Sequence, residues 1–229
     1  MRWLRGLSTV LIAAGVLLLA DVGVTLAWQE PFSAIYAELR QAALEDELDR
    51  LDGLTAAEAR ALARLAEDRE KLAFLARSLR RRTDEGDAIG RIRIPGIGVS
   101  RVIVEGTDAG ELREGPGHYP RTSLPGMRGT VGVAGHRTTY GAPFNEVDKL
   151  EKGDRITVEM PYGRFTYRVE GARIVPPTAV EVVRRVSYDR LVLSACHPKY
   201  SAAERIVVFA RQVESELTVD GRSSGRRSS

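Results

Sequence analysis

Leu191-Val192-Leu193-Ser194-Ala195-Cys196-His197-Pro198 reads as an apolar strand that ends on the chain's one cysteine, with a proline closing it. Its neighbours repeat the pattern. Short Val/Ile-rich segments at 90–94, 101–105, 130–134, 155–160, 163–174 and 205–212 alternate with Gly and Pro turns. Pro161-Tyr162-Gly163 predicts a hairpin turn between the fourth and fifth of the seven strands. The stretch 144–150 is at most a short helix. This spacing predicts a mostly antiparallel barrel or closed sheet rather than alternating strands and helices.

Upstream the periodicity changes. In 33–52 apolar residues recur at helical spacing, and Thr55 followed by Glu58 forms a capping box for a second helix running to about Arg81. These helices are expected to form a stalk or linker over 31–87, as a hairpin or one kinked rod. Residues 7–28 are almost wholly apolar apart from Asp21, and Arg2 and Arg5 precede them. The expectation is a transmembrane anchor within 1–30, crossing the bilayer through residues 7–28, with its N-terminus cytoplasmic and a single pass placing the rest outside. The alternative is a cleaved signal peptide. A barrel over 88–214 and a disordered basic tail over 215–229 complete the expected layout.

With 34 Lys+Arg against 31 Asp+Glu, the formal charge is only +3, which argues against a nucleic-acid partner. One cysteine excludes an internal disulfide. Instead it offers a thiol at a strand end, where a sheet protein presents side chains to substrate. His136 leaves an alternating strand, Thr130-Val131-Gly132-Val133-Ala134, through Gly135, and its imidazole can pass protons near neutral pH. Arg205 opens the strand nine positions after Cys196. A short loop would make the two strands neighbours and set a guanidinium beside the thiol, able to hold a developing oxyanion.

These pieces resemble the sortase family. Gly135-His136-Arg137-Thr138-Thr139-Tyr140-Gly141-Ala142-Pro143-Phe144, Cys196-His197-Pro198 and Gly117-His118-Tyr119-Pro120 are similar above all to the actinobacterial class E sortases, over about Ala88 to Gln212. The resemblance implies an eight-stranded sortase-type β-barrel with short helices, behind the transmembrane helix and stalk. It implies a membrane-anchored cysteine transpeptidase with catalytic residues His136, Cys196 and Arg205. Secreted proteins bearing a C-terminal sorting signal of the Leu-Ala-x-Thr-Gly or Leu-Pro-x-Thr-Gly type would be cleaved between Thr and Gly. An amine of a peptidoglycan precursor or a pilin would take the acyl group. Tyr140, Ala195, His197 and His118 are the expected substrate-binding residues. Many sortases carry Thr where this chain has Ala195. Ser194 would point to the opposite face from Ala195.

Two other readings use the same side chains. A membrane-tethered cysteine hydrolase would release the acyl group to water. A zinc-binding domain would draw on Cys196, His136, His118 and His197, but their spacing is not a finger pattern. No cofactor or metal is expected, since no calcium-type loop is present.

Overall fold

The structure is a computed structural model describing residues 2–28, 31–51 and 53–218. Eight strands close into one barrel: β1 (Ala88–Ile94), β2 (Val99–Glu105), β3 (Gly117–His118), β4 (Thr130–Ala134), β5 (Arg155–Met160), β6 (Gly163–Val175), β7 (Arg190–His197) and β8 (Glu204–Leu217). Their order around the barrel is β1-β2-β3-β4-β7-β8-β6-β5. The β2–β3 and β4–β7 pairs are parallel and the other pairings are antiparallel. The predicted hairpin joins β5 to β6, with Met160 opposite Gly163. At Gly163 a Cβ would lie 2.6 Å from the Glu216 carbonyl oxygen, so the hairpin can press against β8 only with glycine there. β3 has two residues, too few for alternation to show in the sequence.

Alternation along β7 builds the interior. Leu191, Leu193 and Ala195 join the main core with Ile92, Phe165 and Val208, whereas Val192 joins Val207 and Phe209 in a separate cluster on the outer face.

The helices before the barrel are not a stalk. α2 (Pro31–Arg50) lies on the β1–β2 face, with Ala37, Gln41 and Leu44 buried at helical spacing. Leu44 packs with Ala88, Val102 and Val104. Arg40 pairs with Glu114 at 2.6 Å, Glu45 pairs with Arg91 at 2.9 Å, and Glu38 pairs with Arg101. The capping box forms as expected, Thr55 Oγ1 accepting from the Glu58 amide at 3.2 Å. The helix it starts, α3 (Ala56–Leu62), then breaks before α4 (Asp68–Arg82). The break lets Leu62 and the Leu72-Leu75-Ala76-Leu79 face of α4 enter the main core together. An amphipathic pattern reports an apolar face but not its cover, and here the cover is the barrel. A fifth helix, α5 (Ala109–Glu114), follows β2.

The anchor also needs correction. α1 (Arg2–Trp28) is helical, and Leu11, Val16 and Leu18 on it are exposed. Among the described residues, however, no helix is long and apolar enough to cross a membrane. Arg5 and Asp21 bracket the uninterrupted apolar run, which at 1.5 Å per residue is about 22 Å long against a hydrocarbon core of about 30 Å. The transmembrane helix, the bilayer contact through 7–28, the single-pass topology and the membrane-anchored form of the activity are all set aside on this finding. Most of the expected tail, 219–229, lies outside the described residues, while β8 continues to Leu217.

Candidate active site

The site is built where three strands end together. β4 and β7 run parallel, with Ala134 opposite Ser194, and the Gly135 amide adds one more bond, 3.0 Å to the Ser194 carbonyl. His136 and Cys196 are therefore the next residues along two neighbouring strands. β7 and β8 run antiparallel, with Cys196 directly opposite Arg205. Three side chains distant in sequence thus share one rim of the barrel.

Local chemistry sets the turn after β4. A Cβ at Gly135 would sit 2.6 Å from the Phe144 ring, so glycine is what lets Phe144 pack under the turn. The Phe144 amide donates to the His136 carbonyl at 3.0 Å, closing the loop between them. Inside it Tyr140, Gly141 and Ala142 all have positive φ, 51°, 70° and 40°, a conformation that non-glycine residues adopt at a cost. The loop delivers Tyr140 to His136, with ring centroids 5.0 Å apart. Thr139 Oγ1 lies 3.3 Å from His136 Nδ1. Burial, and then the charge of Arg113 on α5, hold the His136 ring below its ordinary pKa. Its neutral form is thereby favoured near pH 7. α2 braces the loop from outside: Ser33 Oγ accepts from the Tyr140 amide at 3.1 Å, and Tyr36 meets the Tyr140 ring edge-on at 6.5 Å.

Cys196 is a half-buried free thiol. A groove of about 660 Å³ runs over the outer face of β7 and β8 and reaches this rim at Arg205, with Cys196 and His136 outside its lining. Ser194, Val207 and Arg205 form its floor, and Val180, Val182 and Val183 of the β6–β7 connection form a wall. Ser194 therefore faces the groove, whereas Ala195 is 3% exposed and packs in the core. In the structure Arg205 Nη1 donates to the carbonyls of Ala202, at 3.1 Å, and Glu204, at 2.9 Å.

The remaining expected residues fall in different places. His197 follows the thiol and its Nδ1 lies 2.8 Å from Arg137 Nη1. His118 is 2% exposed, with Nδ1 2.7 Å from Glu105 Oε2 and Nε2 near Thr122 Oγ1 and the Ser123 carbonyl. Both its nitrogens are committed inside the wall. Among the described residues no cluster of three or more His, Cys, Asp or Glu could hold a metal, so the zinc reading finds no site there. Sequence reasoning missed Arg113, Arg137 and Ser194. The first two are surface-type residues by composition, and only their spatial neighbours give them a part.

A family model described as the sortase domain matches residues 92–213. Sortase D of Bacillus subtilis is 34% identical over 134 residues, covering 57% of this chain and 66% of that protein. Sortase SrtE1 of Streptomyces coelicolor is 31% identical, covering 61% of this chain and 44% of that protein. The chain thus spans less than two thirds of the length of these curated relatives. The structure of sortase E from Streptomyces avermitilis matches with a TM-score of 0.56 at 30% identity, over 62% of this chain and 97% of that one. Proteins named sortase D and sortase E match at comparable identity, so class E is not singled out. The family match runs through all eight strands, from within β1 to within β8, and takes in the rim that holds His136, Cys196 and Arg205: the chain belongs to the sortase family.

Proposed function

We propose that this chain is a cysteine transpeptidase acting on a C-terminal sorting signal of the Leu-Ala-x-Thr-Gly or Leu-Pro-x-Thr-Gly type. The observation that supports the reading is the strand register, which sets a half-buried thiol, a neutral-leaning imidazole on the next strand and a directly opposed guanidinium at one rim, with a groove that reaches that rim at Arg205. The family supplies the substrate class.

In this reading the peptide lies in the groove with its Thr carbonyl over Cys196. The thiol proton passes to His136 as sulfur attacks the carbonyl carbon. Arg205 holds the oxyanion while the C–N bond is still intact. That bond then breaks, His136 gives its proton to the leaving glycine amine, and a thioester remains on Cys196. An incoming amine, from a cell-wall precursor or a pilin, attacks the thioester. Its proton goes to His136 and returns to sulfur as the C–S bond breaks.

The test is mass spectrometry of a Leu-Ala-x-Thr-Gly peptide incubated with the protein, with and without a glycine-type amine. Cleavage after Thr, a Cys196 thioester and an amide to the added amine are expected. Release of free acid alone, unchanged by the amine, would establish the hydrolase instead. No cleavage, with no adduct on Cys196, would remove both readings.

A further inference from the structure

The β4–β7 ladder stops short of the residues it has to align. Its last backbone bond is from Gly135 to Ser194, one residue before His136 and two before Cys196. What continues the tie is a side chain. Arg137, directly after His136, is 3% exposed. Its Nη1 lies 2.8 Å from His197 Nδ1 and donates to the Cys196 carbonyl at 3.4 Å. Its Nε donates to the Asn145 carbonyl at 3.4 Å, and its Nη2 pairs with Asp148 at 2.7 Å. Asn145 returns a bond from Nδ2 to the Arg137 carbonyl at 2.8 Å and accepts one from Lys199 Nζ at 2.8 Å.

We propose that Arg137 is the positioning residue of this site: its guanidinium, closed on the Cys196 carbonyl, the His197 ring and the Asp148 carboxylate, holds the end of the thiol's strand in register with His136. The proposal rests on the reading of Cys196 and His136 as the acyl-transfer pair. Arg137 itself touches no reacting atom.

Three features point to positioning rather than bulk stability. The Asp148 end of the ion pair is half open to solvent, and such a pair contributes little stability by itself. A planar fork, in contrast, can reach three segments at fixed angles, which an ammonium cannot. Burial pushes the Asp148 carboxyl up, but the Arg137 hydrogen bond and charge outweigh it and hold that carboxyl below its ordinary range, so the fork keeps a charged anchor. A guanidinium has no acceptor. His197 Nδ1 must therefore accept, and the neutral ring carries its proton on Nε2. The clamp thus fixes a tautomer that can be observed.

The experiment compares wild type with Arg137→Gln, Arg137→Lys and Asp148→Asn in steady-state and single-turnover assays on the sorting-signal peptide. The ¹⁵N shifts of His197 are recorded alongside. A misplacement of about 1 Å is worth on the order of 100-fold in rate, and that loss is expected in kcat for Arg137→Gln, with KM kept within about a factor of two. Arg137→Lys should recover part of the loss. In Arg137→Gln the His197 nitrogens should move from the Nε2–H pattern toward an average of both tautomers. If Arg137→Gln does not fold, Asp148→Asn, at a half-exposed carboxylate, should move both readouts the same way by a smaller factor. Wild-type kcat in the folded variants overturns the proposal. So does a loss of kcat with the His197 tautomer unchanged. If wild type forms no thioester, the acyl-transfer reading fails, while the tautomer readout still reports on the clamp.

Discussion

Cys196 and Arg205 stand directly opposite each other across the β7–β8 ladder. Opposed residues of an antiparallel pair share a sheet face, with Cβ atoms about 4.5–5.5 Å apart. Arg205 Nη1, at the tip of the side chain, donates to the Ala202 and Glu204 carbonyls, which uses one of the three guanidinium nitrogens. Arg205→Ala should slow thioester formation by about 10²–10³-fold, the usual loss for a missing oxyanion donor, with the fold intact. Arg205→Lys should recover a part. Quenched-flow mass spectrometry of the Cys196 adduct checks this, and an unimpaired Arg205→Ala variant removes the oxyanion role of Arg205.

Burial first, and Arg113 second, depress the His136 pKa. Between that lowered value and the ordinary one near 6.5, the unfolded chain binds more protons at this ring than the folded protein. Its contribution to stability is thus whole above about pH 6.5 and declines as pH falls through that interval. Arg113→Gln should raise the His136 midpoint, seen by NMR titration, yet leave it below free imidazole because burial is the larger cause. Arg113 is exposed, so the shift is small and should fade in high salt. An unchanged midpoint at low salt would dismiss Arg113 as a cause.

Gln41 acts as a substitute strand. Its Oε1 accepts from the Val102 amide at 2.7 Å, and its Nε2 donates to the Val102 carbonyl at 3.2 Å and the Glu114 carbonyl at 2.9 Å. Gln41→Ala leaves buried backbone groups unpaired, a loss of about 1–3 kcal/mol measurable by urea unfolding. No change in stability would mean that α2 is not docked on β2 as described.

Leu79 tests the fate of the second helical segment. It is buried in the main core from α4. Leu79→Ala should destabilise the barrel by about 2–5 kcal/mol in the same unfolding transition. A free stalk predicts almost no effect on that transition.

Much of this architecture is local and therefore legible in the chain. Strand alternation and turn residues located seven of the eight strands, and the nine-residue spacing of Cys196 and Arg205 implied neighbouring strands because a short loop leaves little choice. The period of two also set Ser194 and Ala195 on opposite faces, though it could not say which face was the groove. Class E, by contrast, was a reading of motif detail that the relatives do not uphold.

The sequence by itself determined a β-barrel, a thiol at a strand end and a histidine at a glycine turn, because hydrophobic period and turn chemistry act over a few residues. Tertiary structure alone decided that β4 lies beside β7, so that His136 and Cys196 become neighbours across some sixty residues of chain. It also turned an expected stalk into a coat for the barrel, and an ordinary arginine into the link between Cys196, His197 and Asp148. Each depends on which surface covers another, and an amino-acid pattern specifies that a face must be buried without naming its partner.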